Sequence, residues 1–345
     1  MQSTYTKPHK LIDIAGKVIL SAVAFGLTSH VYAEDIAETA KPVTEQLVDT
    51  MTTLVHGPYA GYRANHAKGI MVSGTFTPAK QAASLSIAPH LQKKTTPVTV
   101  RFSDATGLPT MPDADVNANP HGIAIRFQLP EGAYTDIVSI SINSFPAATP
   151  EDFLGLLNAV AASGPDAPKP SPVEQFLGTH PAALKFVTTP KPAPVSFATL
   201  PFYGVNAFKF TNAEGKTQYG RYRIIPLAGA QSLPADEVAK VGPDYLMEEL
   251  PARLKKGPVK FRIAVQLAAE GDEVNDATVV WPEDRPQVEL GTLTLKTAIA
   301  DSKALEKTIM FNPLALPAGI EASADPILLA RPTAYLVSFG RRVGK

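Results

Sequence analysis

Arg331 and Tyr335 stand four residues apart in "ILLARPTAYLVSFGRRVGK", with Arg342 further along the same stretch. Residues at i and i+4 are neighbours on a helix, so a guanidinium and a phenol would share one face. A phenol is a poor metal ligand until it ionises, and a cation one turn away stabilises the phenolate by charge and hydrogen bonding. A surface arginine beside a packed tyrosine would show the same spacing. A second group lies far upstream, where "GYRANHAKGIMVSGTF" puts His66 three residues after Arg63 and just before a strand-like run. Histidine changes charge near neutrality and serves most often as a general acid or base. Taken alone at the start of a strand, it is more often a hydrogen-bonded structural residue. In "VTVRFSD", Arg101 and Ser103 alternate onto the same face of one strand.

Stepping outward from these residues, the composition limits the chemistry they can do. The 345 residues carry 32 Lys and Arg against 32 Asp and Glu, so no basic excess points to nucleic acid. At 45% hydrophobic and 19% charged, the chain can bury a substantial core. It contains no cysteine, which excludes disulfides, iron–sulfur clusters and thiolate metal ligands. Neither G-x-G-x-x-G, P-loop, H-E-x-x-H nor G-x-S-x-G occurs.

The first segment reads as an address. Lys7, His9, Lys10 and Lys17 precede the apolar run "VILSAVAFGL", and Val31 and Ala33 sit at the −3 and −1 positions of a signal-peptidase site. Cleavage after Ala33 is expected, giving a signal peptide over 1–33, one domain over 34–345, and a periplasmic protein with no stable membrane anchor. A helix is expected within 37–54. "GIMVSGTFTP", "TPVTVRFSDA", "HGIAIRFQLP" and "TDIVSISINSF" then alternate at period two between turn residues, as antiparallel strands do. Thr149, Pro150 and Asp152 mark the start of a helix. After a proline-rich stretch with a short helix around "HPAALKFV", "NAFKFTNAEGKTQYGRYRIIPL" reads as a hairpin, followed by "PVKFRIAVQLA" and "VELGTLTL" as strands. The fold class is α+β, a closed or nearly closed antiparallel β-barrel with surrounding helices and a C-terminal helix. Pro332 predicts a kink or a helix start within that last helix.

"RANHAKG", "PVTVRFSD", "NPHGIAIRF" and "FNPLALPAGIEASADPILLARPTAY", in this order, resemble the landmarks of the haem catalases. The resemblance spans roughly 59–345, and the shortness of the chain is similar to the compact branch, the catalase-related peroxidases. It implies a catalase-like barrel, haem b as cofactor, and a peroxidase that reduces hydrogen peroxide, and organic peroxides, with a small organic electron donor. By the same resemblance Tyr335 is the iron ligand on the C-terminal helix and Arg331 tunes it. Arg63, Arg101 and Arg342 meet the haem propionates, His66 is the distal acid and base, and Ser103 fixes its other ring nitrogen.

The chain departs from the family at the distal asparagine. Counted without gaps from Asp136, that place falls on Ile140, and Asn143, three residues later, is the candidate to fill it if the register shifts. Asn65 likewise occupies a position where the family commonly has an apolar residue. Weak catalase activity beside the peroxidase activity is therefore expected. A noncatalytic haem-binding or haem-transfer protein is the alternative, and a barrel that binds apolar ligands without haem is another. The absence of the family's arm and extension implies a monomer or homodimer.

Overall fold

The computed structural model describes residues 40–344, so the expected signal peptide over 1–33 lies outside the described residues. Among the described residues no helix is long and apolar enough to cross a membrane.

The first helix, α1 (Val43–Leu54), leads into β1 (Gly69–Pro78), the short α2 (Ala82–Leu85), β2 (Thr96–Ser103), β3 (Gly122–Gln128) and β4 (Tyr134–Ile140). Helices α3 (Pro150–Ala161), α4 (Pro172–Thr179) and α5 (Pro181–Thr188) interrupt the sheet. It resumes with β5 (Phe202–Tyr203), β6 (Phe208–Thr211) and β7 (Thr217–Pro226). Then come α6 (Ala235–Val238), α7 (Tyr245–Lys256), β8 (Val259–Leu267), β9 (Gln287–Ala298), α8 (Ser302–Thr308), β10 (Ile320–Ala322) and α9 (Pro326–Arg342). All strand pairs are antiparallel, and the order β7-β5-β4-β3-β2-β1-β9-β8 closes on itself through β7 and β8 into an eight-stranded barrel. β6 and β10 extend outward from β7.

The period-two patterns dictate this closure. Val98, Val100 and Phe102 of β2, with Ile123, Ile125 and Phe127 of β3, are buried and fill the barrel. Phe102 stacks on Phe197 at 5.3 Å between ring centroids, and Phe202 and Phe261 complete the cluster. Each fully buried phenylalanine stabilises by about 1.5–3 kcal/mol relative to an exposed one. Arg101 and Ser103, on the register Arg101↔Ala124 and Ser103↔Gly122, lie at the other side of this wall from the phenylalanine cluster and are also buried.

Helix starts follow their capping residues. The Thr149 hydroxyl accepts from Asp152 N–H at 3.1 Å and Pro150 takes the first helical position, as expected from the sequence. The proline-rich stretch holds two helices rather than one, because Ser171 and Glu174 form a capping box that starts α4. In α9 the start lies earlier than Pro332: Asp325 accepts from the N–H groups of Ile327 and Leu328, Pro326 occupies the first position, and the helix continues through Pro332. That buried aspartate is the reason the helix starts where it does.

Candidate active site

Helix α9 forms one wall of a deep cavity with Ile327, Ala330, Arg331, Ala334, Tyr335 and Ser338, a stripe at helical spacing. The segment 63–66, strands β2 to β4 and the α3 region form the rest. With its open mouth included, the cavity encloses about 1450 Å³ of space not filled by protein atoms. Most of the lining is aliphatic or aromatic, with Met51, Val138, Ile140, Phe145, Phe153 and Phe311 prominent. The polar side chains gather at three places.

The first is on α9. Nε and Nη2 of Arg331 both donate to the Tyr335 hydroxyl oxygen, at 3.0 and 2.7 Å. Nη1 donates to Asn206 Oδ1 at 2.8 Å, and Asn206 Nδ2 donates to the buried Asp325 carboxylate at 2.7 Å. Asp325 thus caps the helix and anchors the chain of polar contacts that orients Arg331. Two donors from one cation thus converge on the same phenol oxygen.

The second is a cluster of arginines. Arg63 and Arg101 both reach Glu306 Oε2, at 2.6 and 3.0 Å, and Arg63 and Arg342 both donate to the Ile309 carbonyl. Among the described residues Glu306 is the one carboxylate paired with any of the three, so two positive charges are left over. Burial first, then Arg101 and Arg342 beside it, holds the Arg63 guanidinium well below its usual range. Burial and Arg101 likewise bring Arg342 down to about 10. Nε of Arg101 and Nε of Arg342 are buried without a hydrogen-bond partner. A site with surplus buried cations and orphaned donors fits a dianion.

The third is His66. Its Nδ1 lies 3.1 Å from Ser103 Oγ, and the residue adopts a φ of 55°, a left-handed conformation that costs a non-glycine residue about 1–3 kcal/mol. The conformation is held from several sides: Asn65 Oδ1 accepts from His66 N–H at 3.0 Å, and Arg101 donates to the carbonyls of His66 and Ala67. Ala64 N–H bonds the Ser338 hydroxyl at 3.1 Å, tying this segment to α9. Gly122, opposite Ser103 in the register, gives the ring its room. A Cβ there would lie 2.8 Å from Ser103 Oγ and 3.1 Å from the imidazole. Burial, then Arg101, pushes His66 down to about 3, so the imidazole is neutral at ordinary pH.

Of the residues expected from the sequence, His66, Ser103, Arg63, Arg101, Arg331, Tyr335 and Arg342 all line the one cavity. Asn143 does not. The β4 register ends at Ile140 without a shift, Ile140 lines the cavity, and the Asn143 amide points to Glu283 at 3.4 Å. Asn143 is therefore not brought into the cavity with the other expected residues, as its distal role would have required. Sequence reasoning missed Asn206, Asp325 and Glu306. The small residues Ala330 and Ala334, each next to Arg331 or Tyr335 on the same face, were a readable signal that α9 leaves space for a flat group, whereas nothing near Asn206 or Glu306 marks them.

The family model named Catalase matches residues 45–345. The chain belongs to the catalase family. A catalase-related peroxidase from Mycolicibacterium paratuberculosis is 35% identical over 291 residues, covering 84% of this chain and 91% of the relative. Another from Synechococcus elongatus is 32% identical, covering 93% of this chain and 96% of the relative. A crystal structure of a fungal catalase superposes with a TM-score of 0.74 at 23% identity, covering 87% of this chain and 63% of that one, and shares the fold. Longer catalases match too: that of Alkalihalophilus pseudofirmus is 28% identical, and the chain spans 43% of its length. Catalase-family proteins bind haem, and the match to compact relatives over nearly their whole length makes this chain a haem peroxidase enzyme.

Proposed function

We propose that the protein is a haem b peroxidase that reduces hydrogen peroxide, and organic peroxides, with a small organic electron donor, and has weak catalase activity. The observation that carries this reading is the double donation of Arg331 to the Tyr335 oxygen in the same cavity as the His66 imidazole. Tyr335 would hold the iron as a phenolate, with Arg331 as its counter-charge and Asn206 and Asp325 setting the orientation of that arginine. Arg63, Arg101 and Arg342 would hold the two propionates, whose charge matches the surplus of the cluster. When bound, haem supplies the redox-active iron at which peroxide is reduced.

The distal residues move the proton. With Nδ1–H donated to Ser103 Oγ, the free Nε2 of His66 is the base that takes the proton from the inner peroxide oxygen and returns it to the outer one, so that water leaves. An imidazole held at about 3 keeps that proton only transiently, which favours its return. Ile140 offers no hydrogen bond to orient a second peroxide as reductant, so donor oxidation outpaces oxygen release. His66 and Ser103 together argue against a noncatalytic haem-transfer role, which needs neither. The protein is exported to the periplasm after cleavage behind Ala33 and works as a monomer or homodimer.

The test is the absorption spectrum of haem-loaded protein and of Tyr335→Phe, with peroxide and a chromogenic donor added. A phenolate-type ferric spectrum abolished in the variant, with donor oxidation exceeding oxygen release, is expected. A spectrum indifferent to Tyr335, or oxygen release that outruns donor oxidation, overturns the reading. Fractionation of the expressing cells and N-terminal sequencing of the mature protein check export and cleavage.

A further inference from the structure

Helix α8 is seven residues long, and Glu306 is its one buried residue. Lys303, Ala304, Lys307 and Thr308 around it are exposed. A short surface helix ordinarily turns an apolar side chain inward, and a glutamate is seldom buried unless it is paired. Here the carboxylate is fixed at both oxygens. Ser302, one turn earlier, donates to Oε1 at 3.3 Å, and its hydroxyl oxygen accepts from Met71 N–H at 2.9 Å, which ties α8 to β1. Oε2 takes Nη1 of Arg63 at 2.6 Å and Nη2 of Arg101 at 3.0 Å, so one oxygen bridges a guanidinium from the loop before β1 and one from β2. Nη2 of Arg101 also donates to the carbonyls of His66 and Ala67, at 2.9 and 3.2 Å. Nη2 of Arg63 and Nη2 of Arg342 share the Ile309 carbonyl, at 3.3 and 3.1 Å. These contacts set the direction of all three guanidiniums, while Nε of Arg101 and Nε of Arg342 stay buried without a partner.

Charge matters here as much as direction. Arg63, Arg101 and Arg342 line the cavity together, and like charges close to one another and largely out of water repel strongly. Burial, then Arg101 and Arg342, press the Arg63 guanidinium down, and Glu306 acts the other way. Three cations less one carboxylate leave two positive charges, the number of carboxylates that haem carries as propionates. A carboxylate on the same nitrogens also repels any further anion brought to them. Glu306 therefore has two opposed effects: it stabilises the three arginines in the folded chain, and it weakens the attraction of the cluster for an anionic ligand. We propose, resting on the haem reading above, that Glu306 sets the charge selectivity of the cofactor site. It holds the cluster at two positive charges, matched to a porphyrin with two carboxylates, and keeps the affinity for such a porphyrin below what three uncompensated arginines would give.

The test compares haem with its dimethyl ester, in which the propionates carry no charge. Iron and ring are the same in both, so the ratio of the two affinities isolates the propionate contacts. Titrations followed at the Soret band give this ratio for wild type, Glu306→Gln and Glu306→Asp. Wild type should prefer the diacid. Glu306→Gln keeps an acceptor for the arginines and removes the charge, so the preference should rise by about 10–100-fold, the scale of one like charge removed at close range in a partly buried site. Glu306→Asp keeps the charge and should stay near wild type. A ratio in Glu306→Gln that is unchanged, as a purely space-filling role predicts, or that falls, overturns the proposal.

Thermal unfolding of the apoproteins reads the opposed effect. The midpoint of Glu306→Gln should lie several degrees below wild type, with Glu306→Asp between them, because three buried cations are left without a counter-charge. An equal or higher midpoint in Glu306→Gln would overturn this half. Wild type that binds haem and its ester equally would overturn the match of the cluster to the propionates and leave the haem reading standing. Wild type that takes up neither would refute the haem reading and the charge selectivity with it, while unfolding would still decide whether Glu306 is the counter-charge of the cluster.

Discussion

The two sides of the cavity are built by opposite means. On the α9 side, Arg331, Tyr335, Ser338 and Arg342 come from one helix, and their spacing alone puts them in one place. On the other side, His66 comes from a loop, Ser103 from the end of β2, Gly122 from the start of β3 and Ile140 from the end of β4, and only the strand register brings them together. A helical site depends on local spacing, whereas a barrel site depends on every pairing between its strands. The second kind is the more sensitive to what holds the loop.

That contrast can be broken by substitution. His66→Ala should lower the rate with peroxide by about 10²–10⁴-fold, the usual contribution of a general acid and base, with haem uptake intact; stopped-flow mixing of the loaded protein measures it. A fall in haem uptake instead would show the two sides to be structurally coupled. Asn206→Ala, which frees Arg331 from its anchor to Asp325, should weaken haem retention or activity by about 10–100-fold, as loss of an orienting partner does. Transfer of haem to an acceptor protein reports it, and no change would mean that the helix alone orients Arg331. Ile140→Asn places a hydrogen-bonding side chain on the distal wall and should raise the ratio of oxygen release to donor oxidation several-fold, read with an oxygen electrode beside a chromogenic donor.

The smallest effect expected is on stability. Asp104 and Asp113 have folded values raised by burial to about 6 and 7, above the ~3.9 of an unfolded aspartate. Their contribution is therefore complete below about pH 4 and is lost as pH rises toward 7. Thermal unfolding of the apoprotein across pH 4–8 should show this loss in wild type and less of it in Asp113→Asn.

The same contrast explains what could be read beforehand. Alternation placed the strands, Thr149 and Pro150 placed α3, and four-residue spacing paired Arg331 with Tyr335, because each depends on neighbours in sequence. A kink or a start was expected at Pro332 because that proline is conspicuous, whereas the actual start depends on capping by Asp325, which requires that carboxylate to be buried and bonded to Asn206. Asn143 was considered for the pocket because its chemistry suited the role, but the register of β4 left Ile140 there. Glu306 carries no local sign at all. It belongs to a short amphipathic helix, and only the folded barrel brings Arg63 and Arg101 to it from 243 and 205 residues away.

The pairing of β7 with β8 has a consequence for how this protein can change. In an open sheet, a strand at the edge can slide by two residues and keep its buried face, at the cost of a few hydrogen bonds. Here the ring is closed, so a slide at β2 or β3 must be passed on through every other pair until it returns to its origin. Ser103 therefore faces Gly122 in a frame that drift in one strand cannot alter by degrees. Variation in this pocket is confined to exchanging side chains at fixed stations, such as that of Ile140.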